Sequence, residues 1–418
     1  MNTKTDIRIT DEIKSFNFGI GLICAYFVMD FGSFQGLYPI FNKLKIPFIV
    51  ALLLLLYSIV CIFAKRNKIN KLILFSLVFL LIDTLVRTIN YSAERNLVIL
   101  FVTYISCYII VLSSVHKISE LILLIDGFLA SVAFSSVHGI IQGGLVWSNT
   151  WLSDENQFTV ICVMCLPLAY YLYINSTNKI KKICYTICMF LYTVLIFRGL
   201  SRGGLLALFG VTILIWSKSQ KKLKMLATFL VLATLIISFA PQKIINEIKN
   251  IDIDEQAGSA GERLYLWKLG MDMFLDNPLH GIGLANYGEY FVEYDMRHEK
   301  RDKFGGVTWR GQKWVLHSTP MTILTELGII GCLLFIFLQR SLYQNARAIL
   351  IQKMQYPLLN QLSTACLVSQ IGFWVGSIFL SLLVSPFFWL LVIFSEAVKN
   401  CALEYQNAFE NNAGYKEL

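Results

Sequence analysis

Gly261-Glu262-Arg263-Leu264-Tyr265-Leu266-Trp267, Asp276-Asn277-Pro278-Leu279-His280-Gly281-Ile282-Gly283 and Leu316-His317-Ser318 mark out one long polar segment, residues 241–318. Its contrast with the rest of the chain decides the fold. On both sides the sequence is a series of apolar stretches. Inside the segment Arg, Lys, Asp, Glu and Trp recur, and glycines make turns. A chain that buries nearly everything in lipid and sets one charged segment to one side is organised to work at the membrane surface.

The remaining composition agrees. The chain has 418 residues, 56% hydrophobic and 15% charged, with a mean hydropathy of +0.61. Soluble domains carry about 25% charged residues, and a spanning helix needs about 20 apolar residues. Apolar stretches of that kind predict an all-α polytopic membrane protein of about twelve spans. Residues 1–240 would hold the first nine spans, 241–318 one large, mostly helical loop domain, 319–400 the last three spans and 401–418 a cytoplasmic tail. Residues 1–16 are polar and mixed in charge and lack a signal-peptide pattern, so the first apolar stretch reads as a span.

The net charge of +9 sits in short loops, at Lys65-Arg66-Asn67-Lys68, at Lys179-Ile180-Lys181-Lys182 and from Lys218 to Lys224. Lys/Arg-rich loops stay on the cytoplasmic side. Their spacing puts the polar segment outside, which in a Gram-negative cell means the periplasm, and argues against a nucleic-acid partner. The ten cysteines lie mostly within apolar stretches. Cys162/Cys165 and Cys184/Cys188 have no nearby His or carboxylate, so neither a metal site nor a cofactor is expected. Motifs of zinc peptidases, P-loop proteins and serine hydrolases are absent from the sequence.

Within the polar segment, Leu264, Trp267, Leu269, Met271 and Phe274 fall near helical spacing, and Pro278 stops that helix. Gly281 and Gly283 form a turn. Tyr287, Tyr290, Phe291 and Tyr294 suggest a second amphipathic piece, and 295–313 is a charged loop containing Arg310.

Charged residues within spans are rare enough to single out. Asp83 and Arg87 lie one helical turn apart and can pair on one face. Asp126 has no evident partner and is a candidate for a bond between helices. Arg198 and Arg202 flank glycines in Phe197-Arg198-Gly199-Leu200-Ser201-Arg202-Gly203-Gly204, on the side where the positive-inside rule disfavours arginine. They read either as snorkelling side chains or as anion ligands, because a guanidinium holds phosphate bidentately at any relevant pH. Arg263 lies near a helix start, where anions are favoured. His317, at the junction with the next span, can serve as a general base near pH 7 or contact headgroups. Glu326, two turns further on, can compensate a cation or bond a neighbouring helix. Asn156, Tyr287 and Arg310 are candidate substrate contacts.

Several of these runs resemble the O-antigen ligase and polymerase superfamily. They are Ser201-Arg202-Gly203-Gly204-Leu205-Leu206-Ala207, Arg263 to Trp267 followed by Asp276 to Tyr287, and His317-Ser318 through Glu326-Leu327-Gly328-Ile329-Ile330-Gly331. Asp154-Glu155-Asn156-Gln157-Phe158 and Leu166-Pro167-Leu168 are also similar. The resemblance spans roughly 150–390 and implies a GT-C-type membrane glycosyltransferase that needs no metal. Its donor would be a glycan on undecaprenyl diphosphate. Arg202 and Arg263 would hold the diphosphate, and His317 would activate the acceptor hydroxyl. Where the family commonly shows His-Asn, this chain has His317-Ser318.

The resemblance leaves the acceptor open. Lipid A–core oligosaccharide would make the protein a ligase, another repeat unit a polymerase, and Ser or Thr a protein O-oligosaccharyltransferase. One dominant outside loop favours the ligase. A lipid-linked glycan transporter is the alternative from another class. It would call for internal repeats and charges lining several spans, and neither is visible. The expected setting is the bacterial inner membrane, with the active site facing the periplasm.

Overall fold

Helix starts in this chain are set largely by short polar side chains placed just before apolar runs. Asn17, Asn70, Asn90, Asp154 and Asn178 each turn a side-chain oxygen onto a backbone N–H of the first helical turn. Such a cap typically contributes about 1 kcal/mol. The computed structural model describes residues 17–63, 69–147, 151–199, 201–218, 223, 259–297, 314–351 and 357–414. Among them the regular elements are all helical. In chain order they are α1 (Phe18–Asp30), α2 (Phe34–Leu37), α3 (Pro39–Lys43), α4 (Ile46–Phe63) and α5 (Lys71–Arg87). Next come α6 (Tyr91–Ser114), α7 (Ile118–Ile141), α8 (Glu155–Asn175), α9 (Lys179–Arg198) and α10 (Arg202–Lys218). The last are α11 (Ser259–Asp276), α12 (Tyr287–Asp295), α13 (Thr319–Ile351), α14 (Pro357–Ser377) and α15 (Pro386–Gly414).

Seven of the described helices are long and apolar enough to cross a membrane: α4, α6, α7, α8, α9, α13 and α15. The protein is therefore a multi-pass helical membrane protein, and the described residues account for seven such spans of the twelve expected. The expected first span is a 13-residue helix that breaks up after Asp30. The third expected span is only 17 residues long, as is α10, and α14 carries Asn360, Gln361 and Gln370 among its apolar residues. The span expected near 225–240 lies outside the described residues.

One contiguous core, with Trp389, Tyr108, Tyr192 and Phe128 among its largest fully buried side chains, binds the bundle together. α8 packs against α9, α10 and α14. Asp126, whose sequence neighbourhood shows no evident partner, has two on α9. Tyr185 Oη donates to it at 2.8 Å and Lys181 Nζ lies 3.5 Å away. Its role in bonding helices is as expected. The partners lie 55 and 59 residues away in sequence, so only the tertiary fold reveals them.

α11, α12 and residues 314–316 form a small lobe with its own core of Leu266, Leu269, Met273, Tyr287, Phe291, Tyr294 and Leu316. Phe291 faces Trp314 at 5.8 Å between ring centroids. Tyr294 Oη donates to Asp276 at 2.8 Å, and the Arg297 guanidinium lies over the Tyr294 ring.

The lobe joins the bundle through a break in α13. At Gly328 the backbone leaves helical geometry (φ 64°, ψ −159°). An unbroken helix would pair Ile329 N–H with Thr325 O, and Ile330 N–H with Glu326 O. Here residues 278–283 come between them. Ile329 and Ile330 donate to the carbonyls of Pro278 and Leu279, at 2.9 and 3.0 Å. The freed carbonyls of Thr325 and Glu326 accept from Ile282 and Gly283, at 3.0 and 2.8 Å. This loop is a plug that re-pairs a discontinuous helix, the condition for irregular backbone at membrane depth. It requires glycine. A Cβ on Gly281 (φ 65°) would lie 2.4 Å from the Glu326 carbonyl carbon, and one on Gly328 would lie 2.6 Å from Gly281 N.

Candidate functional site

The ends of several helices meet on the side of the bundle where the lobe sits. Asp154 opens α8 there. A Cβ on Gly144 would touch Gly199 Cα, and one on Gly199 would touch Thr159 Oγ1 and the Glu155 carbonyl, so the α7–α8 and α9–α10 connections lie against each other. Ser201 Oγ accepts the Gly204 N–H at 3.2 Å and caps α10. Arg202 is the first residue of α10 and is exposed, as is Arg198 at the end of α9. The Cβ position of Gly203 is 3.5 Å from Gly376 O at the end of α14. The chain beyond α14 then meets the start of α13, where Thr319 Oγ1 donates to Leu380 O and accepts from Leu382 N.

His317 sits just ahead of that start, half-buried, with a left-handed backbone (φ 48°). Non-glycine residues in this conformation are uncommon and tend to gather at functional sites. The flanking residues hold it there. Trp267 Nε1 donates to the Leu316 carbonyl at 2.9 Å. Ser318 is buried and accepts from Thr322 N through its carbonyl, with its hydroxyl 3.5 Å from Met321 N. Ser and Asn share the helix-cap preference, so Ser318 fills the capping role that an asparagine would fill at this position.

Burial pushes the His317 imidazole below its usual value of 6.5; the Arg263 guanidinium pushes it the same way, and Asp154 opposes them. At neutral pH the ring is uncharged and has a nitrogen free to take a proton. Arg263, on the first turns of α11, and Asp154, at the cap of α8, are thus within electrostatic reach of His317. Asp154 was absent from the sequence-based set. Its place before an apolar run marks a helix cap, and nothing in the sequence links it to a histidine 163 residues later. Asn156 lies half-buried in the first turn of α8, and its neighbour Gln157 has a buried Oε1 with no partner among the described residues.

The other expected contacts are placed elsewhere. Tyr287 is 3% exposed, with its hydroxyl donating to Leu266 O inside the lobe. Glu326 is 5% exposed, and its carboxylate accepts the N–H groups of Ala285 and Tyr287, at 2.9 and 3.3 Å. Both side chains belong to the lobe and plug, in positions that leave little surface for a sugar. Arg310 lies outside the described residues. Among the described residues no group of three or more His, Cys, Asp or Glu is arranged to hold a metal ion.

Asp83 and Arg87 pair as expected, at 2.9 Å. Arg87 also donates to the carbonyls of His280 (2.6 Å) and Gly281. The second Asp83 oxygen accepts Leu284 N–H at 2.9 Å.

The family model described as O-antigen ligase matches residues 187–336. The match takes in Arg198, Arg202, Arg263, His317 and both halves of the plug. It leaves α5, Asp154 and Asn156 outside. No curated protein matches the chain.

Proposed function

We propose, from the premise that this multi-pass membrane protein carries an O-antigen ligase family domain and is a glycosyltransferase of the ligase and polymerase type, that it works as a ligase. It would move a glycan from undecaprenyl diphosphate onto a hydroxyl of lipid A–core oligosaccharide at the periplasmic face of the inner membrane. The observation that carries this reading is His317. It is a half-buried imidazole with a left-handed backbone, pushed below its usual value by burial and by the charge of Arg263.

The chemistry follows from those groups. A ring nitrogen of His317 takes the acceptor proton while the acceptor oxygen bonds to the anomeric carbon. The bond from that carbon to the diphosphate breaks on the opposite face, so the centre inverts. The electron pair leaves with the lipid diphosphate. Arg202 and Arg263 offset the charge that builds there, and fixed cations aimed at developing charge are among the larger contributions to catalysis. No step requires a metal. Arg198 and Asn156, at helix ends on this side of the bundle, are further candidates for contacts to the substrate.

The test is transfer by the purified protein in detergent with EDTA, using an undecaprenyl-diphosphate-linked glycan. Lipid A–core and excess donor are offered separately, to wild type and to His317→Ala. Product on lipid A–core that disappears in the variant is the expected result. Lengthened glycan on the carrier lipid would make the protein a polymerase. Undiminished product from His317→Ala would remove the base assignment, and no product on either acceptor would redirect the search to protein hydroxyls or to transport.

A further inference from the structure

Two arms leave the active corner and meet again at the plug. One is α11, which carries Arg263 and runs to Asp276, where the chain enters the plug directly. The other is α13, which starts two residues after His317 and reaches the break at Gly328. At 1.5 Å per residue the arms are about 20 Å and about 14 Å long. They are cross-braced by Trp267 to Leu316 O and by Thr325 Oγ1 to Gly270 O, at 3.1 Å. A third body, the end of α5, closes the plug from outside. Thr88 Oγ1 donates to Leu284 O at 3.0 Å. Ile89 N–H donates to Asn286 Oδ1, and Asn286 Nδ2 returns to Arg87 O at 2.7 Å.

We infer that Asp83 and Arg87 are positioning residues for the transfer reaction: they seat the plug in the break of α13 and thereby fix α11, the helix that carries Arg263, relative to His317. The inference rests on the proposed roles of Arg263 and His317 and adds a pair outside the matched stretch. Arg87 ties its own helix, through Asp83, to the carbonyls of His280 and Gly281, which a smaller or singly donating side chain cannot reach together. Both Asp83 oxygens are occupied, one by Arg87 and one by Leu284 N–H. That arrangement suits a fixed joint rather than a proton carrier. Without Arg87, the His280 and Gly281 carbonyls and an Asp83 carboxylate oxygen each lose a charged donor, the plug loosens, and the α11 arm is free to shift along α13.

The test reads His317 itself. The pH dependence of diethyl pyrocarbonate modification at His317, followed by peptide mass spectrometry, reports the fraction of uncharged imidazole without any substrate. Among the described residues the charged groups within electrostatic reach of His317 are Arg263 from α11 and Asp154 from the start of α8. In Arg87→Ala the midpoint is expected to rise toward the ordinary imidazole value as Arg263 moves away, and kcat to fall on the order of 10²-fold with little change in donor KM. Arg87→Lys, which keeps a cation and folds under milder strain, is expected to lie between. Asp126→Asn neutralises a half-buried carboxylate that bonds α7 to Tyr185 and Lys181 of α9, outside the plug, and serves as the control for general loosening; it should leave both the midpoint and transfer unchanged.

An unmoved midpoint in both Arg87 variants would overturn the inference, as would an equal shift in Asp126→Asn. If wild type transfers nothing while Arg87→Ala still moves the midpoint, the joint stands and the functional reading falls. If wild type transfers normally and the midpoint stays fixed, the reverse holds.

Discussion

The corner around His317 and the plug at Gly328 lie at the two ends of the same pair of helices and use polar groups in opposite ways. In the corner, Arg198 and Arg202 are exposed and Arg263 and His317 half-buried, and Gln157 keeps a buried oxygen without a partner among the described residues. In the plug nearly every donor meets an acceptor. Asp83, Asn286 and Glu326 are buried, and each bonds more than one neighbour. The difference teaches that this chain's short motifs hold two kinds of residue. Arg198 and Arg202 lie exposed at helix ends, and His317 sits half-buried just ahead of another. The Pro-x-x-Gly-x-Gly-x-x-Asn run and the Glu-x-Gly run complete each other and hold the first kind in place.

The contrast can be broken by experiment. The largest effect is expected at the corner. His317→Ala should reduce transfer by about 10²–10⁴-fold, the usual contribution of a general base, with an unchanged melting temperature in detergent. A fall in melting temperature equal to that of a plug variant would erase the distinction.

Gly328→Ala probes the other end. Its Cβ would sit 2.6 Å from Gly281 N and from Leu279 O, and its φ is +64°. The plug must back away, so melting temperature and transfer should fall together, transfer by roughly 10²-fold as the corner is misplaced. A variant that melts early yet transfers normally would show that the corner keeps its geometry unaided.

A third variant sharpens the electrostatics. Burial and the Arg263 charge both hold His317 below 6.5. In wild type the rate should stay level down to a pH below that value and then decline as the ring takes a proton. Arg263→Gln removes one of the two causes, so the decline should begin at higher pH, alongside a loss of about 10²–10³-fold at the plateau. A pH–rate profile of both proteins checks this. A decline that stayed in place would mean burial alone sets the histidine.

The smallest effect belongs to Ser318. Ser318→Asn should transfer normally, and Ser318→Ala should lose about 1 kcal/mol of stability as a cap. A large transfer defect in Ser318→Ala would move this residue from support to chemistry.

Much of this could be read in the sequence. Asn70, Asn90, Asp154 and Asn178 announce helix starts because a short polar side chain before an apolar run has few other uses there. Pro278 ends α11 nearby for the same local reason. The break at Gly328 could not be read, because a glycine within a spanning helix is common and its φ is set by a loop some 45 residues earlier. For the same reason Glu326 and Tyr287 read as substrate contacts. Their N–H and carbonyl partners are backbone groups, which residue identity does not show. Asp126 and Asp154 find their partners only across the fold. The corner could be recognised by residue type and order, whereas its proximity relations needed coordinates.

The order in which plug and break occur along the chain bears on how the protein is made. Residues 278–287 leave the ribosome before α13 does. The plug's half of the joint is therefore already made when the interrupted helix arrives. A broken helix arriving first would present bare N–H and C=O groups to hydrocarbon, at several kcal/mol each. Here the partner is waiting, so insertion and closure of α13 can be a single event. Biogenesis of this protein therefore has a direction, and a version split between the lobe and α13 would have to deliver the first fragment before the second.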